Sequence, residues 1–291
     1  MTEKKASWTA VLVCQGRAVA DGRLAVGRFA DPVAVRLLRP DERAAVDRAR
    51  AGEQPRGWRE RMEYELLGGT AGVLAVRTVV IDDAVRAQGN SQLVLLGAGL
   101  DARAWRMSEL AEVDVFEVDH PASQADKRDR ADGLAPVARS LTYVAVEFGR
   151  DALDSALRSA GFRDSLPTTW IWEGVLPYLT DAQVAATLTV VADLSAPGSR
   201  LIATYPTRNR LAGLGRHALR LFTRLTGGGD PLRHEPHLST WSPQEMRALL
   251  NDHGLTVTDD RELFGAATEL GIPVPQSRAY GLGRAVIADK S

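Results

Sequence analysis

From residue 92 onward, short apolar runs alternate with segments of helical periodicity, and this alternation restricts the fold more than any other feature of the chain. The runs are rich in Leu, Val, Ile and Trp, which is typical of strands covered on both faces of a parallel sheet. Strands that alternate with helices indicate an α/β fold with helices on both faces of the sheet. The sequence predicts seven strands, at residues 92–96, 113–118, 141–145, 168–172, 201–204, 255–258 and 283–287.

Helices are predicted between these strands, two of them with N-caps at Thr180 and Ser242. Their ranges are 104–110, 121–131, 151–160, 181–194 and 242–252. Before residue 92 the alternation is absent, and apolar residues recur at three- and four-residue steps. This region is predicted to be helical, with short helices after Asp31 and Asp41 and longer ones at about 58–67 and 70–86.

The 291 residues are interpreted as a single domain with four parts. These are an N-terminal helical region (1–90), a sheet core (91–204), an insertion (205–241) and a C-terminal helix with a strand pair (242–291). The insertion far exceeds the usual connection of about 4–6 residues, and it carries a helix pattern at 211–225. A long insertion after the carboxyl end of a strand predicts a helical lid. A surface excursion without ligand contact is the alternative.

Charge and composition exclude several classes of function. The 36 basic and 37 acidic residues give a net charge of −1, so no attraction to nucleic acid is expected. One cysteine and five histidines without metal-ligand spacing predict no metal site. The apolar run at 8–14 lacks a cleavage site and no apolar stretch approaches about 18 residues, so we expect a cytoplasmic protein without a membrane span. Homo-oligomerisation stays open.

A glycine-rich turn follows the first predicted strand directly. Residues 97–102 have the pattern G-x-G-x-x-A, in which Gly97 and Gly99 flank Ala98. Glycine adopts positive φ and lets a ligand approach the backbone closely. A helix beginning near Ala102 would direct free N–H groups into the same crevice. Between a strand and a helix, this motif indicates a site for a nucleotide-like ligand.

Acidic and aromatic residues stand at the ends of the next strands, where ligands bind in open α/β sheets. Asp119 follows Gly97 by about 20 positions, the separation at which a carboxylate accepts hydrogen bonds from ribose hydroxyls. Glu147 is assigned to an adenine amino group, with Phe148 against the ring. Trp172 is assigned to the core. These residues fit either a dinucleotide or S-adenosylmethionine.

Four segments of the sequence resemble a known family, and this resemblance distinguishes between the two possible ligands. They are 77–83 with Arg77, the loop 96–106, the stretch 116–121 with Lys127-Arg128, and 172–179. Together they resemble the leucine carboxyl methyltransferase family, especially its actinobacterial small-molecule O-methyltransferases, which include polyketide carboxyl methyltransferases. Fainter likeness extends over most of residues 16–195.

The resemblance implies a Rossmann-like, seven-stranded class I methyltransferase sheet with S-adenosylmethionine as cofactor. It implies that Arg77 binds the methionyl carboxylate and that Glu173 lies near the methionyl amino group. Gly97, Ala98 and Gly99 would pass beneath the methionine portion. Asp101 and Arg103 are interpreted as a structural pair across the loop. One position departs from the family, because Ala102 stands where threonine is usual.

The implied reaction methylates an oxygen of a small molecule, with a secondary metabolite as one such acceptor. A carboxylate is ionised at neutral pH and needs no base, whereas a hydroxyl requires one. Arg208 and Arg210 are candidates for orienting an acceptor carboxylate, or they belong to a solvated helix face. For a hydroxyl acceptor, the candidate bases are Tyr205, His234 and His237.

Two other functions stay open at this point. An NAD-dependent oxidoreductase would use the same kind of sheet, but its Tyr-x-x-x-Lys signature is not found, since Ala182 follows Tyr178 by four residues. A catalytically inactive nucleoside-binding protein would keep the glycine loop, Arg77 and Asp119 unchanged.

Overall fold

Seven strands form one mixed sheet in the computed structural model, which describes residues 8–207, 239–273 and 283–291. The strands are β1 (Gln92–Leu96), β2 (Asp114–Asp119), β3 (Ser140–Ala145), β4 (Thr168–Trp172), β5 (Arg200–Tyr205), β6 (Leu255–Glu262) and β7 (Arg284–Lys290). Their order is β3-β2-β1-β4-β5-β7-β6. Strands β1 to β5 run parallel, and β7 is antiparallel to both of its neighbours. The predicted seven-stranded α/β sheet is confirmed.

Strand positions agree closely between sequence and structure. The predicted strands at 92–96 and 168–172 coincide with β1 and β4. The largest difference is at β6, which continues past an irregularity between Val257 and Asp259 to Glu262. Apolar runs locate the central strands well because both faces of the sheet are covered.

Helices cover both faces of the sheet. They are α1 (Trp8–Ala20), α2 (Pro40–Ala51), α3 (Trp58–Gln88), α4 (Arg103–Arg106), α5 (Pro121–Arg130), α6 (Leu153–Ser159), α7 (Asp181–Asp193), α8 (Pro243–Asp252) and α9 (Leu263–Glu269). Short 3₁₀ helices lie at Ala34–Leu37, Ser108–Leu110 and Leu176–Tyr178. The single helix predicted at 104–110 is wrong, because Met107 is extended and divides α4 from a 3₁₀ helix. Helix α9 was not predicted, since seven residues are too few for a clear period.

Helix α3, with 31 residues, replaces the two helices predicted at 58–67 and 70–86. Gly68-Gly69 lies between the predicted helices, and each glycine costs a helix about 1 kcal/mol relative to alanine. Packing outweighs this cost, because a Cβ on Gly16 of α1 would lie only 2.4 Å from Leu74 Cδ1 of α3. The close contact between α1 and α3 buries the middle of the helix, including Leu67, Ala71, Leu74 and Ala75.

The length and apolar character of helix α3 are relevant to the expectation that the protein has no membrane span. By length and composition alone, its segment Glu60–Gln88 is apolar enough to cross a membrane. In the fold, 56% of the most apolar window of this segment is buried inside the protein, and a core helix passes the same test.

The sheet separates two apolar layers because alternate residues of a strand point to opposite faces. Leu93 and Leu95 pack in the layer that contains the N-terminal helices, and Leu96 packs in the other. Trp172 lies in this second layer without exposed surface, as predicted for a core residue. The register places Leu96 opposite Val118, so the loop after β1 and the end of β2 leave the sheet side by side.

The predicted lid lies largely outside the described residues. This applies to the helix predicted at 211–225 and to four candidate site residues, Arg208, Arg210, His234 and His237. At the borders of the segment, Thr207 and Trp241 form an isolated parallel bridge. The two ends of the segment are therefore neighbours.

Candidate functional site

A cavity of about 450 Å³ opens at the carboxyl ends of β1 to β4. All eight residues predicted to bind the cofactor line it, namely Arg77, Gly97, Ala98, Gly99, Asp119, Glu147, Phe148 and Glu173. Ligands of α/β sheets bind at this edge because the ends of adjacent parallel strands leave a crevice there. The volume lies within the usual range of about 300–1,000 Å³ for small-molecule sites.

The glycine loop requires its two glycines. Gly97 has φ +72°, and a Cβ there would lie 2.4 Å from Val175 Cγ2. Gly99 has φ +48°, and a Cβ there would lie 3.2 Å from the Ala10 side chain of α1. The loop is tied to β2, since the N–H groups of Gly97 and Ala98 both donate to Val118 O. Positive φ and close neighbours together exclude larger side chains.

Asp119, the last residue of β2, joins the loop to the cavity. Its Oδ2 accepts the Gly99 N–H over 2.6 Å, and its Oδ1 accepts the His120 N–H over 2.6 Å. A carboxylate has about four acceptor positions, so two backbone bonds leave acceptor capacity for the hydroxyls of a ligand. The two backbone bonds fix the carboxylate at the cavity wall.

Glu173 follows β4 and holds two arginines. Arg77 Nε donates to its Oε1 over 2.7 Å, and Arg103 Nη1 donates to its Oε2 over 2.9 Å. Burial alone would raise the pKa of the Glu173 carboxyl, but Arg77, Arg103 and Arg17 outweigh it and hold that pKa well below its usual range. Glu173 is therefore an anion at the cavity wall at neutral pH.

The two terminal nitrogens of the Arg77 guanidinium lie near Gly174. Arg77 Nη1 and Nη2 lie 3.7 and 3.8 Å from the point that a Cβ on Gly174 would occupy. Gly174 has φ +70° and leaves room beside the guanidinium. Arg77 and Glu173 thus present opposite charges side by side at the cavity.

A buried network of charges supports this pair. Arg103 contacts Asp101 and donates to Asp82 over 2.7 Å. Arg106 also donates to Asp82, over 2.7 Å, and approaches Asp31. The pairing of Asp101 with Arg103 agrees with the structural interpretation of these residues. The network balances four arginines with four carboxylates, which are Arg17, Arg77, Arg103, Arg106, Asp31, Asp82, Asp101 and Glu173.

Sequence reasoning assigned no site role to Arg17, which attaches α1 to the loop. Its Nη2 donates to Leu100 O over 2.5 Å, and its Nε lies 3.0 Å from Asp31 Oδ2. The Asp31 Oδ1 accepts the Ala34 N–H at the start of the 3₁₀ helix Ala34–Leu37, whose N-cap residue is Val33. An arginine in an apolar helical stretch was the available signal, because burial of such a charge requires a partner.

Helix α1 forms a wall of the cavity that sequence reasoning also missed. Thr9, Ala10 and Val13 line the cavity from this helix, and Val175 and Tyr178 line it from the segment after β4. These lining residues are mostly apolar.

Tyr205, the candidate base for a hydroxyl acceptor, has its hydroxyl paired in this structure, and its role as a base stays a prediction. Tyr205 is 2% exposed and is not among the described residues that line the cavity. Its hydroxyl lies 2.9 and 3.0 Å from the two carboxylate oxygens of Asp260, to which Arg284 also donates. Burial and the Asp260 carboxylate raise the pKa of Tyr205, which keeps the phenol protonated.

Solved structures share this fold across almost the whole chain. A candidate methyltransferase from Thermobifida fusca covers 99% of this chain and 96% of its own, with a TM-score of 0.56 and 19% identity. A DUF574 family protein from Streptomyces avermitilis covers 98% of each chain, with a TM-score of 0.58 and 15% identity. The fold is that of the class I methyltransferases.

The family follows from the sequence match. The family model for leucine carboxyl methyltransferase matches residues 10–192. The chain belongs to the leucine carboxyl methyltransferase family, and the resemblance noted in the sequence is confirmed.

Curated relatives come from actinobacteria and are named as candidate S-adenosyl-L-methionine-dependent methyltransferases. One from Mycobacteroides abscessus is 37% identical over 190 residues, which is 64% of this chain and 62% of the relative. One from Streptomyces coelicolor is 34% identical over 220 residues, which is 73% of this chain and 68% of the relative. The first match thus spans less than two thirds of its relative's length.

Proposed function

We propose that this protein is an S-adenosylmethionine-dependent methyltransferase that methylates an oxygen of a small molecule, with a carboxylate as the preferred acceptor. The observation that carries the proposal is the convergence at one cavity of the glycine loop, Asp119 and the Arg77–Glu173 pair. The family membership and the names of the relatives support the same activity.

The chemistry of the residues at the cavity suits the parts of this cofactor. The methionyl end carries a carboxylate and an ammonium group, which suit Arg77 and Glu173, and a guanidinium can hold a carboxylate with two hydrogen bonds. The ribose hydroxyls suit Asp119, which keeps acceptor capacity beyond its two backbone bonds. Glu147 and Phe148, after β3, suit the amino group and the face of adenine.

When bound, S-adenosylmethionine supplies an electrophilic methyl group on a positively charged sulfur. The chain contributes binding and orientation, and well-oriented reactants reach effective molarities of about 10⁵–10⁸ M. Ala10 and Val13 of α1, together with Val175 after β4, line the cavity with apolar side chains next to the glycine loop. Arg17 holds α1 in place through Leu100 O.

A carboxylate acceptor fits what the described residues offer. A carboxylic acid with a pKa near about 4 is ionised at neutral pH and needs no base. The Tyr205 hydroxyl is engaged with Asp260, and Tyr205 is not among the described residues that line the cavity, so its contacts do not favour it as the base that a hydroxyl acceptor requires. Arg208 and Arg210 stay candidates for orienting the acceptor, and His234 and His237 stay candidate bases for a hydroxyl; all four lie outside the described residues.

The test uses the purified protein with radiolabelled S-adenosylmethionine and a panel of small carboxylic acids and phenols. A base-labile product that releases methanol identifies an ester and supports the carboxylate. A base-stable product identifies an ether or amine and contradicts it. Calorimetry with S-adenosylhomocysteine and with NAD separates the alternatives, since tight binding of NAD alone would favour an oxidoreductase.

A further inference from the structure

His120, immediately after Asp119, has a defined tautomer. Its Nδ1 accepts the Ala122 N–H over 3.2 Å, so the imidazole caps the N-terminus of α5. A nitrogen that accepts a hydrogen bond carries no proton, so in the neutral ring the proton is on Nε2. The cap thus makes Nε2–H a hydrogen-bond donor.

An acceptor, the Glu147 carboxylate, lies close to this donor. His120 Nε2 lies 3.9 Å from Glu147 Oε2, which exceeds the usual limit of about 3.2 Å for such a bond. Both residues line the cavity beside Asp119 and Phe148, and each side chain is partly exposed, 33% for His120 and 43% for Glu147. Glu147 Oε2 also accepts from Arg150 Nη1 over 3.1 Å, but a carboxylate has about four acceptor positions, so capacity for a ligand is left. His120 and Glu147 thus present a donor and an acceptor at the cavity without forming a hydrogen bond with each other.

An adenine ring has the complementary pattern. Its exocyclic amino group is a donor, and a ring nitrogen beside it is an acceptor, as on the edge read by bidentate side chains in DNA. The proposed function assigns the ribose to Asp119, so the base of the same nucleoside would lie near the side chains that follow β2 and β3. His120 follows β2 and Glu147 follows β3.

We infer that His120 and Glu147 together read one edge of the adenine, a specificity role for His120 that rests on the proposed function. Glu147 accepts from the amino group, and His120 Nε2–H donates to the adjacent ring nitrogen. Phe148 borders the same part of the cavity. The cap at Ala122 orients the donor before the ligand arrives, which reduces the entropy lost on binding.

The test measures binding of three ligands by calorimetry to wild type and to His120→Asn. The ligands are S-adenosylhomocysteine and its 1-deaza and 7-deaza analogues, each of which lacks one ring nitrogen beside the amino group. Asparagine is a good N-cap, so the substitution keeps α5 capped while it removes the Nε2–H. His253→Asn is the matched control, because His253 contacts Leu249 O at the end of α8 and is not among the described lining residues.

We expect His120→Asn to weaken S-adenosylhomocysteine binding about tenfold, the effect of one hydrogen bond. For one of the two deaza analogues the substitution should have no effect, because the acceptor is already missing. An equal loss for all three ligands, which a ribose contact would give, overturns the inference, as does an unchanged affinity for S-adenosylhomocysteine. If the wild type binds none of the three, the proposed function itself fails, and this inference fails with it.

Discussion

Arg77 and Glu173, which are 96 positions apart in the sequence, form an ion pair in which Arg77 Nε donates to Glu173 Oε1 over 2.7 Å. The pair joins α3 to the end of β4, and Arg103 holds the second oxygen of the same carboxylate. Opposite charges side by side suit the zwitterionic end of an amino acid. The pair is therefore a tertiary contact and the proposed methionyl site at once.

Arg77→Ala should weaken S-adenosylhomocysteine binding by about 1–3 kcal/mol, because a hydrogen bond between charged groups is lost. The affinity of Arg77→Lys should lie between those of the wild type and Arg77→Ala, since lysine keeps the positive charge but lacks the planar guanidinium that makes two parallel hydrogen bonds. Calorimetry measures both. Arg86→Ala is the control on the same helix, because Arg86 is exposed and pairs with Glu109 and Asp83. Equal affinities for wild type and Arg77→Ala would contradict the placement.

Asp119→Asn should also weaken S-adenosylhomocysteine binding by about 1–3 kcal/mol, because the neutral amide offers one acceptor oxygen instead of two charged ones. The N–H groups of Gly99 and His120 donate to different oxygens of Asp119, so the single amide oxygen can replace only one of these acceptors and leaves less capacity for the ligand. Asp114→Asn is the control, because Asp114 lies at the other end of β2 and pairs with Arg139. This substitution should leave the affinity for S-adenosylhomocysteine unchanged. If Asp119→Asn and Asp114→Asn changed the calorimetric affinity equally, the proposed ribose contact of Asp119 would be contradicted.

Gly97→Ala should destabilise the protein more than Gly89→Ala. Both glycines have positive φ, which costs an alanine about 1–2 kcal/mol. A Cβ at Gly89 meets nothing within 4 Å, whereas one at Gly97 would lie 2.4 Å from Val175 Cγ2 and adds about 1–3 kcal/mol of overpacking. Urea unfolding measures both variants. Equal losses of stability would show that Val175 moves freely away from the loop.

Lys127→Met should lower stability more at pH 8 than at pH 5. Lys127 Nζ lies 2.6 Å from Glu117 Oε2, and both side chains are buried. Burial raises the Glu117 pKa from 4.5 to about 7, although Lys127 opposes the shift. A raised folded-state pKa means that stability from Glu117 is complete below pH 4.5 and declines as pH rises through about 7.

In Lys127→Met the Glu117 carboxyl is buried without a cation. The loss in free energy of unfolding is about 3–5 kcal/mol when this carboxyl is charged and smaller when it is protonated. Denaturant unfolding at the two pH values measures the difference. The double variant Glu117→Gln/Lys127→Met should recover stability at pH 8 because no charge is left buried. A loss for Lys127→Met that is the same at both pH values would rule out titration of Glu117 as the cause.

Sequence patterns alone predicted the part of the site that follows from topology. The loop at 97–99 and Asp119 come directly after predicted strands and Glu147 follows one by two residues, and parallel strands end at one edge of a sheet. Their convergence at the cavity required no knowledge of side-chain packing. Arg77 could be added through the family resemblance, because a single arginine on a helix carries no signal of its own.

Tertiary structure decided what the N-terminal helices contribute. Arg17 and Asp31 look like ordinary residues of a helical region, and Thr9 and Val13 look like part of an apolar run, yet packing of α1 on α3 brings all four to the cavity or its charge network. Tyr205 illustrates the reverse case, since a long-range contact with Asp260 engages its hydroxyl, and Tyr205 is not among the described residues that line the cavity. Local periodicity determined the strands, helices and loop of this protein, because those depend on neighbours in sequence. Which charges are paired, buried or free depended on contacts between residues far apart in the chain, which no local pattern encodes.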